Sequence, residues 1–183
     1  MRAFRHVVLS AAVLSLGGCL VSKEPLLDSK SARSTPIAAG DYSICTRDGD
    51  GGADDCTPVK IAIEPGKLTV IQSAEGDRVE ARFARAGKGY VGQLTSADDE
   101  GAHYYYGQKS RGVFVMKMMW CEHAPESLKD RLVKEGALAI ESDGDQCNAL
   151  TRKAVMEFGQ AYSKGDVQKD GATMRFIPVK SSS

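Results

Sequence analysis

Arg78-Val79-Glu80-Ala81-Arg82-Phe83-Ala84 alternates charged and apolar side chains, so Val79, Ala81 and Phe83 fall on one side of an extended chain and Arg78, Glu80 and Arg82 on the other. A period of two is what a strand with one buried and one wet face requires. The pattern repeats outward in both directions. On the N-terminal side lie Asp41 to Thr46, with Tyr42 and Ile44 on one face, then Pro58 to Ile63, with Val59, Ile61 and Ile63 on one face, then Leu68 to Ile71. On the C-terminal side lie Tyr90 to Thr95, His103 to Gln108 and Val113 to Trp120. Glu64-Pro65-Gly66-Lys67, Glu75-Gly76-Asp77, Gly87-Lys88-Gly89 and Arg111-Gly112 separate them. Proline presets one dihedral of a turn and glycine supplies a positive one. Short strands joined by tight turns predict an antiparallel meander, which limits its open edges by curling into a small barrel or packing on a second layer.

That second layer reads as helix. Pro125 suits a first helical turn, because its missing N–H would have no partner there. Leu128, Leu132 and Val133 share a face, and Gly136 ends the segment. Ala137 to Ile140 reads as a short strand. From Cys147 to Tyr162, the residues Cys147, Leu150, Ala154, Phe158 and Ala161 recur at helical spacing, with Arg152, Lys153, Glu157 and Gln160 outside. Thr173 to Val179 reads as a last strand. The fold class is therefore α+β, an antiparallel meander in sheet or small-barrel form with two helices toward the C-terminal side, and residues 39–180 form one domain.

Composition narrows the function. The chain has 183 residues, with 24 Lys and Arg against 24 Asp and Glu. No basic stripe stands out, and nucleic acid is not expected as a partner, since phosphate neutralisation needs clustered cations.

The N-terminus supplies an address. A basic start (Arg2, Arg5, His6) leads into the apolar run Val7 to Leu16, a layout of secretory leaders and too short for a permanent span. It closes on Leu16-Gly17-Gly18-Cys19, and here the sequence resembles a bacterial lipoprotein precursor with its lipobox. The resemblance implies that residues 1–18 are a signal peptide, that cleavage follows Gly18, and that Cys19 carries diacylglycerol and an acyl chain such as palmitate. Loss of Arg2 and Arg5 then leaves 22 basic against 24 acidic residues. No other cofactor is expected. Residues 19–38, rich in serine and holding Pro25 and Pro36, read as a flexible tether of ~25 Å mean reach. Leu20 stands where an inner-membrane lipoprotein of the enterobacterial kind would have Asp. The expected location is thus the outer membrane, with the domain in the periplasm or at the cell surface.

An exported chain meets oxidising conditions, so Cys45, Cys56, Cys121 and Cys147 read as two disulfides. Three pairings are open, and the pairs nearest in sequence, Cys45 with Cys56 and Cys121 with Cys147, are favoured. No C-x-x-C spacing marks a redox-active pair.

Other candidate sites are weighed against plainer roles. Asp48, Asp50, Asp54 and Asp55 put four carboxylates within eight residues, a density that can hold calcium, although Val59 stands where an EF-hand loop needs its bidentate Glu. Met116, Met118, Met119, Cys121 and His123 are a run of soft ligands suited to copper, yet strand alternation would place Phe114, Met116, Met118 and Trp120 together as core filler, leaving Met119 for a surface groove. Tyr104, Tyr105 and Tyr106 offer a recognition patch on whichever face is outward. His103 and His123 lack any accompanying hydrolase motif, so no catalytic residue is assigned. The leading expectation is a membrane-anchored, noncatalytic binding or accessory module that reaches the bilayer through its anchor and takes an envelope protein or small ligand. The alternatives are a lipocalin-like carrier of a small apolar ligand and a hydrolase with an unrecognised site.

Overall fold

Pairing of consecutive strands closes the meander into a cylinder. The computed structural model of the protein describes residues 18–47, 55–141, 146–167 and 173–179. Its strands are β1 (Leu20–Ser22), β2 (Gly40–Arg47), β3 (Asp55–Glu64), β4 (Leu68–Ser73), β5 (Arg78–Ala86), β6 (Gly89–Ser96), β7 (Ala102–Ser110), β8 (Val113–Met118), β9 (Leu138–Ile140), β10 (Cys147–Ala149) and β11 (Thr173–Pro178). The helices are α1 (Glu126–Lys134) and α2 (Arg152–Lys164). Each strand from β2 to β8 pairs antiparallel with the next, and β11 lies between β8 and β2, so eight strands form a closed barrel. Closure removes the open edges of the meander. Beyond the barrel, β1 continues from the start of β7, with β10 parallel to it and β9 outside β10.

Side chains fill the barrel. Ile61, Ile71, Ala81, Phe83, Leu94, Phe114, Met116 and Phe176 are buried there, and Phe114 meets Phe83 edge-on at 5.7 Å and Phe176 at 6.1 Å between ring centroids. Two glycines make the room. A Cβ at Gly92 would lie 2.9 Å from the Phe83 ring, and one at Gly107 would run into the Phe114 ring.

The outer face of β5 to β7 is also apolar, which a half-wet strand would not be. Ala84, Ala86, Val91, Tyr104 and Tyr106 are buried there together with Ala154, Val155 and Phe158 of α2. Gly159 faces Val91 across this contact, where a side chain would collide. Cys45 stands directly opposite Cys56 on β2 and β3, and Cys121, just past β8, is bonded to Cys147 on β10. Both nearest-neighbour pairings are present.

Several sequence expectations are corrected. Residues 19–38 are no tether: Leu20, Leu27, Ala32 and Ile37 are 0%, 1%, 0% and 2% exposed. Leu20 and Leu27 join the core outside the barrel, while Ile37 enters the core inside it. The folded body therefore extends back to Cys19 instead of starting at residue 39. The strap's polar groups are met as well. Leu27 donates its N–H to Gln93 Oε1 at 2.7 Å and accepts from Gln93 Nε2 at 3.2 Å, Ser22 Oγ lies 2.7 Å from the Tyr104 hydroxyl, and Ser34 donates to the carbonyl of Phe83 at 3.1 Å. Cys147 and Leu150 do not belong to the second helix. Thr151 caps α2 by accepting from Ala154 N, and Cys147 is held in a strand by β1 and its disulfide. Met119 is fully buried on the α2 side, and Val133 of α1 is 43% exposed.

Gly107→Ala is expected to cost about 1–3 kcal/mol by overpacking the barrel, part of it recovered when Phe114→Leu is added. Urea unfolding of the two variants checks this, and equal stability of Gly107→Ala and the parent would contradict the packing described.

Candidate functional site

The only cysteine outside a disulfide lies where β8 ends, and backbone bonds fix it there. Cys19 forms an antiparallel bridge with Trp120, Leu20 N–H donates to the Met119 carbonyl at 2.8 Å, and Cys147 N–H donates to the Cys19 carbonyl at 3.2 Å. The Tyr162 hydroxyl, reaching over from α2, accepts from Trp120 N–H at 2.7 Å and donates to the Met118 carbonyl at 3.3 Å. Alternation then sorts the side chains. Leu20 and Cys147 are register partners on the face turned to α2, so Cys19, one residue earlier, points to the other face with Met118, its Sγ 3.0 Å from Met118 Sδ. Cys19 and the Cys121–Cys147 disulfide thus lie on opposite sides of the sheet.

Burial pushes the Cys19 thiol up to about 11, and the Glu122 carboxylate adds to the shift. Tyr105 and Tyr162 are likewise pushed up to about 12, mainly by burial. A thiol held neutral is a poor nucleophile and a poor metal ligand. This corner therefore holds a passive sulfur at a fixed point.

His123 lies beside it. Its Nε2 is 3.3 Å from Glu122 Oε1, its ring is 6.2 Å from that of Trp120, and its buried Nδ1 has no hydrogen-bond partner. A histidine–carboxylate pair is the start of acid–base chemistry, but such chemistry also needs a cleft for substrate. The Glu122 side chain is 55% exposed, and neither residue lines the two described depressions. His103 sits on β7 between Leu94 and Val21, its Nδ1 also without a partner.

The larger depression, about 470 Å³, is a groove between α1 and α2 lined by Leu128, Arg131, Glu157, Gln160, Lys164 and Asp166, among others. Its charges are compensated across the two helices. Arg131 bonds Glu157 and lies 3.5 Å from Glu135, while Lys153 lies 2.7 Å from Glu135 and 3.9 Å from Glu157. The Lys153 hydrogen bond is the main cause that holds the Glu135 carboxyl below the usual range. The groove offers polar and apolar contact, and Ser127 and Pro125 complete the α1 side of its walls. A second depression of about 300 Å³ is lined by Arg78, Glu80, Thr95, Ser96 and Ala97.

The other residues singled out in the sequence are dispersed. Asp48, Asp50 and Asp54 lie outside the described residues, and Asp55 is exposed at the start of β3. Among the described residues, no group of three or more His, Cys, Asp or Glu comes together as a metal site. The methionine run is split between the barrel interior (Met116), its rim (Met118) and the α2 side (Met119), and Cys121 is oxidised. Tyr104 and Tyr106 are 0% and 6% exposed and Tyr105 packs against the barrel core, so the three tyrosines form no outward patch. Comparison of the chain with protein-family models, curated proteins and solved structures returns no match. Sequence reasoning missed the strap and its anchor Gln93. A polar residue in the middle of the otherwise apolar run Val91 to Leu94 was the one signal for it.

With Cys19 as a free thiol, the shift from 9.0 to about 11 should slow alkylation at pH 8 about 100-fold relative to the urea-unfolded protein. Because the folded value is raised, the associated stability is complete below pH 9 and declines toward pH 11. Timed mass spectrometry with iodoacetamide reads the rate, and equal folded and unfolded rates would contradict the burial of this sulfur.

Proposed function

We propose that the protein is a lipid-anchored, noncatalytic binding or accessory module of the bacterial envelope, acylated at Cys19 and held at a membrane, with the outer membrane favoured by Leu20. The observation that carries this reading is the Leu16-Gly17-Gly18-Cys19 boundary after a leader-like apolar run. Three further observations support it. Both disulfides fit an oxidising compartment. The one cysteine outside them is the one the lipobox selects. The groove between α1 and α2 is a contact surface of mixed charged and apolar side chains, and it is the face we assign to an envelope partner.

A carrier of a small apolar ligand would need the space that Phe83, Phe114, Phe176 and Met116 occupy. A hydrolase would need the His123–Glu122 pair to face a cleft. Neither alternative gains a supporting observation.

Growth of a producing bacterium with a clickable fatty acid should label the protein, and Cys19→Ala should abolish both the label and the recovery of protein with membranes. Undiminished labelling of the Cys19→Ala variant would overturn the reading.

A further inference from the structure

We infer that the protein rests directly on the bilayer, with the Cys19–Met118–Trp120 rim of the barrel in the headgroup region and no spacer between the lipid and the fold. The inference deepens the reading of Cys19 as the acylated residue and depends on it. A lipid anchor normally leaves a domain free to tumble at the end of its linker, at a distance set by the linker's length and stiffness. Here the linker is absent. β1 begins at the very next residue, Leu20 is fully buried, and the peptide group that joins Cys19 to Leu20 is bonded into the sheet at both its N–H, by Met119, and its carbonyl, by Cys147. Downstream, the strap is held by Gln93, Tyr104 and the carbonyl of Phe83 before Ile37 enters the barrel.

The side of attachment follows from alternation along β1. Cys19 Sγ points toward Met118, 3.0 Å away, and the bridge partner of Cys19 is Trp120. Cys19 itself is 5% exposed and these two neighbours are partly exposed, so acyl chains on that sulfur would leave past them. Cleavage after Gly18 also removes the carbonyl that accepts from Cys121 N–H, which opens the same end of the sheet. Trp120 is partly exposed, and an indole with one apolar face and one N–H donor is suited to the interface between acyl chains and water. The occupant of this rim is thus the bilayer that receives the protein's own acyl chains.

Trp120 is the single tryptophan of the chain, which makes it a built-in reporter. Acylated protein, purified from membranes in detergent, is reconstituted into phosphatidylcholine vesicles with plain acyl chains or with chains brominated near the headgroup. Flotation and intact mass are read on the same samples. The expected result is loss of Trp120 emission in the brominated vesicles relative to the plain ones. A flexible Gly/Ser spacer inserted between Cys19 and Leu20 should keep the acyl mass and flotation but restore the emission. Unquenched emission from wild-type protein that floats and carries the acyl mass would overturn the inference while leaving the acylation standing. Quenching that survives the spacer would overturn the claim that attachment geometry sets the contact. Protein that neither floats nor carries acyl mass would overturn the acylation reading, and this inference with it.

Discussion

Closure of the barrel is the constraint on which the other features depend. A meander of seven strands would end in two open edges. Insertion of β11 between β8 and β2, antiparallel to both, removes them. Closure also makes the interior volume finite, and a small barrel stays stable only if its side chains fill that volume without strain. Three phenylalanines and Met116 supply the bulk, and Gly92 and Gly107 on neighbouring strands yield the space. Large and small residues on facing strands thus act as one unit.

A filled barrel leaves its outer wall to find cover. Most of that wall is polar, as in Arg78, Glu80 and Arg82, and faces water. The wall of β5 to β7 instead carries Ala84, Ala86, Val91, Tyr104 and Tyr106, and these need a second layer. Helix α2 supplies part of it, brought close by Gly159. The N-terminal strap supplies another part with Leu20, Leu27 and Ala32. Gln93 sits in the middle of this interface and could not stay buried unpaired, since an unmet amide costs about 1–3 kcal/mol. Its two bonds to Leu27 satisfy the amide and fix the register of the strap.

Period-two alternation made the barrel strands legible, because each turns one face to a core and the other to water. Val79, Ala81 and Phe83 are buried or half-buried as their spacing implies. Closure was not legible, since nothing local in Thr173 to Pro178 says that it pairs with β2 and β8. The strap misled through composition: its serines and prolines are those of a disordered segment, whereas its few apolar residues are placed to meet an apolar wall that forms only in the folded barrel. The start of α2 misled in the same way, because Cys147 and Leu150 match helical spacing while Thr151 provides the cap. Of the candidate site, the two disulfides were readable as nearest neighbours. The tyrosine run was not, because alternation alone does not say that the face holding Tyr104 and Tyr106 is roofed.

Structure employs most of the side chains that could carry chemistry. Four cysteines are paired, Met116 and Met119 are core, and the hydroxyls of Tyr104 and Tyr162 tie the strap and α2 to the barrel. Burial in a packed corner raises the Cys19 thiol and makes it a poor nucleophile. The proposed attachment at Cys19 would also have a mechanical consequence that a linker would erase. A single covalent point leaves rotation free, but a terminal residue whose following peptide group is bonded into a sheet at both its N–H and its carbonyl would transmit orientation as well as position. The groove between α1 and α2 is built on the same rigid body, joined to the rim through Tyr162 and through the Cys121–Cys147 link, so an anchored protein would present that groove at a set angle to the membrane.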